Sequence, residues 1–202
     1  MERPSIVIVA GVNGCGKSTF AANAAGKEVL LGQTAINPDT LTQEATEEFP
    51  KIGSIGANLV GVERAEKAVW KAIAEGRSAA VETVLSSDKF LALVRAARKR
   101  RYRTRLIFIG LPKVSLALER IEARVKQGGH AVPEQRVRDR WARAHDNLIA
   151  FNRVVDDVLV FSNVGLEPLP VAERVGRTTR RVRVLDPDAL PDVTARLIRR
   201  RT

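Results

Sequence analysis

The chain contains one cysteine, Cys15, so no disulfide forms within it, and its two histidines, His130 and His145, show no zinc-ligand spacing with that cysteine. Aromatic residues make up 4% of the 202 positions, too few to support the stacking platform on which single-strand-binding proteins hold nucleic acid. Apolar runs are strand-sized, far short of the roughly 20 residues that cross a bilayer, and the start of the chain lacks an uninterrupted signal-peptide core. The expectation is a cytoplasmic protein without membrane attachment. A GTPase would carry an N-K-x-D-type guanine signature, which is missing. An ABC-type ATPase would carry its own signature loop and an acid after a Walker-B strand, yet the strands at 106–110 and 158–161 end without one. There is no internal repeat, low-complexity tract or flexible linker.

What is present starts at the first strand. The apolar run Ile6-Val7-Ile8-Val9-Ala10 leads into Gly11-Val12-Asn13-Gly14-Cys15-Gly16-Lys17-Ser18-Thr19, a G-x-x-x-x-G-K-[ST] loop. Glycine at 11, 14 and 16 lets backbone N–H groups wrap closely around phosphate oxygens and tolerates positive φ. Lys17 reaches the β- and γ-phosphates, Ser18 places a hydroxyl on Mg²⁺, and a helix opening near Lys17 turns its positive end to the same anion. The spacing predicts binding of ATP and Mg²⁺ through Gly11, Asn13, Gly14, Cys15, Gly16, Lys17, Ser18 and Thr19, with Ser18 on the metal. Cys15 reads as a small filler, although its place at a helix start would lower its pKa.

The length suits one domain over residues 1–202, and apolar strand-like runs alternating with helical stretches predict an α/β fold with a parallel sheet. Strands are expected at 5–10, 34–37, 78–84, 104–111 and 158–161, giving a five-stranded, mostly parallel sheet flanked by helices, with the strand at 34–37 beside the first. Helices are expected from Lys17 to about Gly26, then at 40–49, 62–75, 88–100, 113–126, 133–155 and 189–200. Gly53, Gly56 and Gly61 mark a mobile connection before the helix at 62–75, which turns Ala65, Val69, Ile73 and Trp70 inward. Leu116, Ile121 and Val125 face the core from the helix at 113–126. A C-terminal hairpin pairs 171–176 with 181–185 around Arg177-Thr178-Thr179, and a closing helix follows.

Thirty-four Lys plus Arg against 23 Asp plus Glu leave a net charge of +11, which calls for an anionic ligand or partner. The basic residues fall in short clusters, which a solvated surface and a phosphate-binding lid explain better than specific nucleic-acid binding. Arg120 and Arg124 lie one turn apart on one helix face, and Arg136 and Arg140 follow the turn at Gly128-Gly129. This unit, spanning about residues 120–140, reads as an arginine-rich lid over bound phosphates, with His130 as a hydrogen-bonding group; a solvated helix face is the alternative for each arginine.

Two acids complete the chemistry. Asp39, at the end of the second strand, suits the base that orients and deprotonates an attacking hydroxyl, although Asn37-Pro38-Asp39-Thr40 also has turn and N-cap chemistry. Glu82 lies inside an apolar strand end, where an unpaired carboxylate is costly, so it binds substrate hydroxyls or a metal-bound water, or makes a structural hydrogen bond. Asp39, Glu82, Thr83 and Arg136 form the predicted acceptor side; Lys17, Asp39, Arg120 and Arg124 form the predicted catalytic set.

The blocks Ala10 to Thr19, Ile36-Asn37-Pro38-Asp39, Val81-Glu82-Thr83-Val84-Leu85-Ser86-Ser87 and Arg124 to Pro133 resemble those of the zeta-toxin-like kinases of bacteria, in the same order, across about residues 5–163. The resemblance implies a P-loop kinase sheet, Lys17 and Ser18 for ATP and Mg²⁺, Asp39 as base, Glu82 for substrate and lid arginines for the transition state. Characterised zeta toxins phosphorylate UDP-N-acetylglucosamine on the 3′-hydroxyl of its amino sugar, so the resemblance also implies a UDP-sugar acceptor and an antitoxin partner. Where relatives often carry a second threonine after Glu-Thr, this chain has Val84, which donates no hydrogen bond. A nucleoside or other metabolite kinase shares the same loop, base and lid. An ATP-dependent nucleic-acid-binding switch is the reading from a different class, and it predicts salt-sensitive polynucleotide affinity.

Overall fold

The computed structural model describes residues 3–129, 131–176 and 181–198. Strand β1 (Ser5–Ala10) is buried at every position, as a continuous apolar run should be when both sheet faces are covered. It pairs in parallel with β3 (Ala79–Thr83) on one side and β4 (Arg103–Gly110) on the other. Beyond β3 lies the two-residue β2 (Ala35–Ile36), and beyond β4 lies β5 (Asp157–Ser162), both parallel. The expected placement of the second strand beside the first is thus corrected. Both edges of β1 are taken, and β2 pairs instead with Ala80 and Val81 of β3.

The sheet has seven strands rather than five, in the order β2-β3-β1-β4-β5-β6-β7. The C-terminal strands β6 (Leu169–Arg174) and β7 (Arg183–Val184) pair with each other, and β6 pairs antiparallel with β5. An open edge of β5 would expose a hydrogen-bonding ladder; β6 covers it while burying Val171 and Ala172. Arg177-Thr178-Thr179, His130 and the last residues of the closing helix lie outside the described residues.

The first predicted helix is two. Helix α1 (Lys17–Ala22) stops at Asn23, whose backbone is extended and whose side chain accepts the Gly26 N–H at 2.7 Å, capping α2 (Ala24–Val29). Next come α3 (Pro38–Glu48) and α4 (Gly53–Ala74), the latter a single 22-residue helix that replaces the expected mobile connection. At Gly61 a Cβ would collide with Thr42 Oγ1 and sit 2.8 Å from the Pro38 carbonyl oxygen. That glycine permits a close helix crossing. In α4, Ala65, Val69 and Ile73 are buried as expected, but Trp70 is 38% exposed, because it lies about 100° around the helix from Val69.

Helix α5 (Lys89–Lys99) precedes β4, and α6 (Val114–Lys126) and α7 (Glu134–Asn152) lie between β4 and β5. Ala117 and Ile121 bury the inner face of α6 and Leu116 packs partly against the core; Val125 is exposed, near the helix end and past its last buried residue. Helix α8 (Pro191–Ile198) closes the described chain, burying Val193 and Leu197. Among the described residues no helix is long and apolar enough to cross a membrane.

Candidate active site

In a parallel sheet the connections at the carboxyl ends of the strands are where ligands bind, and the predicted residues cluster there. The loop leaving β1 is tied to β3 by the Gly11 N–H, which donates to the Thr83 carbonyl at 3.3 Å, and it closes on itself through the Cys15 N–H to the Val12 carbonyl at 3.2 Å. Gly16 has φ +89°, and a Cβ there would overlap the Asn163 amide nitrogen. Asn163, just after β5, donates to the Cys15 carbonyl at 2.8 Å and buttresses the loop from the far side of β4. Cys15 is fully buried, and burial pushes its thiol up, only partly opposed by Lys17. The expected lowering is therefore overturned, and the side chain acts as filler.

Lys17 Nζ donates to the carbonyls of Gly11 at 2.9 Å and Val12 at 3.3 Å, which stretches the ammonium across the loop mouth. Ser18 Oγ donates to Glu82 Oε2 at 2.9 Å and accepts from Asn37 Nδ2 at 3.2 Å. Glu82 is 5% exposed. Burial pushes its carboxyl up, against Lys17 and the Ser18 hydrogen bond, while the charge of Asp39 pushes the same way as burial. Thr83 points its hydroxyl at a turn: its Oγ1 accepts the Leu85 N–H at 3.1 Å, holding Leu85 at φ +60°.

Asp39 occupies the exposed first turn of α3, and its N–H donates to Asn37 Oδ1 at 2.8 Å. The N-cap role left open for Asp39 thus belongs to Asn37, with Pro38 at the first helical position. The Asp39 carboxylate lies near enough to Glu82 and Arg140 to act electrostatically on both. Although β2 is not next to β1, Asp39 acts on Glu82, which bonds Ser18, and on Arg140, which bonds Asn13 of the loop.

The four arginines differ in the contacts they make. Arg140 Nη1 on α7 donates to Asn13 Oδ1 at 2.8 Å, docking α7 on the loop. Burial and then the charges of Arg136 and Arg143 lower the Arg140 pKa, and Asp39 opposes them. Arg136 is exposed one turn earlier. Arg120 Nη2 on α6 donates instead to the Val164 carbonyl at 3.3 Å, on the connection between β5 and β6. Arg124 lies in the last turn of α6, and its carbonyl accepts the Gly129 N–H at 2.9 Å. Sequence reasoning missed Asn37, whose signal was its place before Pro38, and Asn163, whose signal was its place at the end of a central strand.

A cleft of about 440 Å³ opens beside Ser18, Glu82 and Asn37, walled by Ala21, Ala22, Lys27 and residues 32–35, within the size range of small-molecule sites. Among the described residues no three His, Cys, Asp or Glu side chains gather as a metal cage. One hydroxyl and one carboxylate at hydrogen-bond distance are instead what Mg²⁺ uses when phosphates and waters complete its shell, so Ser18 and Glu82 fit that ion.

The Zeta toxin family model matches residues 1–169. An uncharacterized protein of Haemophilus influenzae is 27% identical over 135 residues, covering 67% of this chain and 91% of the relative. The crystal structure of AvrRxo1-ORF1:-ORF2 with ATP has a TM-score of 0.68 at 19% identity, covering 99% of this chain and 66% of that one. The structure from the PezAT chromosomal toxin-antitoxin system of Streptococcus pneumoniae has a TM-score of 0.68 at 15% identity, covering all of this chain and 80% of that one. The protein thus spans about two thirds of the AvrRxo1 chain that it matches, and at these identities the likeness is one of fold, a P-loop kinase-type sheet. With most of its length matched by that family model and its P-loop, Asp39 and Glu82 blocks following the carboxyl ends of neighbouring strands, the chain belongs to the zeta toxin family.

Proposed function

We propose that this protein is an ATP-dependent phosphotransferase that moves the γ-phosphate to a hydroxyl of a small acceptor, UDP-N-acetylglucosamine being the acceptor that family membership favours. The observation carrying this reading is the meeting of Lys17, the Ser18–Glu82 pair, Asp39 and Arg140 around one glycine loop beside an open cleft. The loop amides and Lys17 hold the triphosphate. Ser18 and Glu82 would hold Mg²⁺, which would supply positive charge against the phosphates. Asp39 orients the acceptor hydroxyl and takes its proton as the oxygen attacks the terminal phosphorus and the bond to the β-phosphate oxygen breaks, ADP leaving, and Arg140 with Arg124 places positive charge on the phosphoryl group in transfer. Glu82, Asn37 and residues 32–35 contact the acceptor, with Thr83 and Arg136 at its margin. The ATP-containing AvrRxo1 structure supports the nucleotide, and the PezAT structure supports an antitoxin partner.

Val84 favours a second reading within the same chemistry. It removes a donor at a position where relatives often have threonine, which suits another hydroxyl-bearing metabolite or nucleoside. Incubation with Mg²⁺-ATP and a panel of UDP-sugars, nucleosides and small metabolites, followed by mass spectrometry, decides between them. UDP-N-acetylglucosamine should gain one phosphate, and Lys17→Ala should abolish the gain. Phosphate gained only by a different metabolite selects the second reading, and no phosphorylated acceptor contradicts both.

A further inference from the structure

Among the described residues, three that are not glycine take a positive φ: Leu31 at +56°, Leu85 at +60° and Arg101 at +63°. Leu31 and Arg101 each follow the C-cap of a helix, where a left-handed residue is an ordinary way to end one. Leu85 ends no helix. It lies two residues past β3, and that backbone is unfavourable for a side chain as bulky as leucine, so the surroundings must hold it there.

They hold it at three points. Its N–H donates to Thr83 Oγ1 at 3.1 Å, its carbonyl accepts from Asn147 Nδ2 on α7 at 2.7 Å, and its side chain is 1% exposed in the core. The Thr83 contact lies within the turn, whereas the Asn147 contact joins residues 62 apart in sequence. Asn147 stands seven residues after Arg140, two turns on, so both lie on one face of α7. Arg140 grips Asn13 of the glycine loop at 2.8 Å, and Asn147 grips the turn that begins just beyond Glu82. One helix thus ties the loop suited to phosphates to the carboxyl end of β3, where Glu82 bonds Ser18 at the cleft. Backbone outliers persist where a particular placement is needed, since they cost stability.

We infer that Asn147 is a positioning residue for the phosphoryl acceptor: its amide holds Leu85 in the left-handed conformation, and so sets where the turn after Glu82 meets the acceptor relative to the glycine loop. Asn147 acts through Leu85 and touches neither ligand. This rests on the phosphotransferase reading above.

Asn147→Leu keeps the size of the side chain and removes the donor. Asn147→Asp keeps its shape, removes the donor and sets a carboxylate against the Leu85 carbonyl, so each variant reports if the other fails to fold. Steady-state transfer to UDP-N-acetylglucosamine, or to whichever panel member gains phosphate, is measured beside ATP affinity by calorimetry and hydrolysis of ATP by water, below the thermal transition of each variant. Both substitutions should raise the acceptor KM about tenfold and hold kcat at saturating acceptor, ATP affinity and hydrolysis each within about threefold. A tie that only stabilises the fold would lower the melting temperature and leave the acceptor KM unchanged, and that result overturns the inference. Equal weakening of ATP and acceptor also overturns it, because Asn147 would then serve the whole site and not the acceptor turn. An unsubstituted protein that phosphorylates no acceptor sinks the phosphotransferase reading itself, which is a distinct result.

Discussion

The two ends of the sheet treat charge in opposite ways. At the end where β4 and β5 begin, Asp157 is fully buried and accepts from Arg103 at 2.8 Å, Arg105 at 3.2 Å and the Gly176 N–H at 3.0 Å. Burial alone would raise its carboxyl, but the hydrogen bonds from Arg103 and Gly176 and the two guanidinium charges hold it below the usual range. Asp156 accepts both the N–H and the hydroxyl of Thr104, and the buried Arg174 donates to the carbonyls of Asn152, Val155 and Asp156. At the other end, Lys17 is held by carbonyls, Glu82 by a hydroxyl and Arg140 by an amide. Among the described residues neither Glu82 nor Asp39 is in a salt bridge. Asp157 is matched by two guanidinium groups and is fully buried, whereas Lys17, Glu82 and Arg140 are held by neutral groups at the mouth of the glycine loop, where their charge faces a ligand site.

That contrast predicts a clean separation between stability and activity. Lys17→Ala should lower kcat/KM by about 10³-fold while leaving the thermal transition nearly unchanged, as checked by steady-state kinetics and calorimetry. Asp157→Ala should do the reverse, costing about 3–5 kcal/mol in urea unfolding because Arg105 is left buried without its carboxylate, with turnover per folded molecule preserved. Loss of activity without loss of stability in that variant would break the comparison. Arg140→Ala should reduce kcat by about 10- to 100-fold, with less effect on ATP affinity, since its proposed charge acts in transfer. The smallest effect concerns His145, packed between Phe108 and Trp141. Burial, and then the charge of Arg196, push its pKa below the ordinary imidazole value. The unfolded chain then binds the proton first, so stability is complete above about pH 6.5 and declines as pH falls through that value toward the folded pKa. His145→Gln should flatten that part of the melting-temperature profile and leave the acidic limb from Asp157 in place.

The glycine loop was legible because its geometry is local: the spacing of Gly11, Gly14, Gly16 and Lys17 dictates the backbone whatever the rest of the chain does. Strand identity was also legible where burial is continuous, as in β1 and β4. Strand order was not, since nothing in Ala35-Ile36 states that β3 will intervene before β1. Gly61 was misread for a similar reason: a glycine that loosens a chain and one that admits a partner helix look alike until Thr42 is beside it. The division between Arg120 and Arg140 depends on contacts with Val164 and Asn13, respectively 44 and 127 residues away in sequence. A charge pattern along one helix carries no record of such partners.

The proposed transfer needs Asp39 to face a bound triphosphate, and Asp39→Asn tests this most directly, with ATP affinity and phosphate transfer measured on the same preparation. Retained affinity with transfer reduced by about 10³-fold is the predicted result. Transfer at the unsubstituted rate would contradict it, because no base would then be acting from α3.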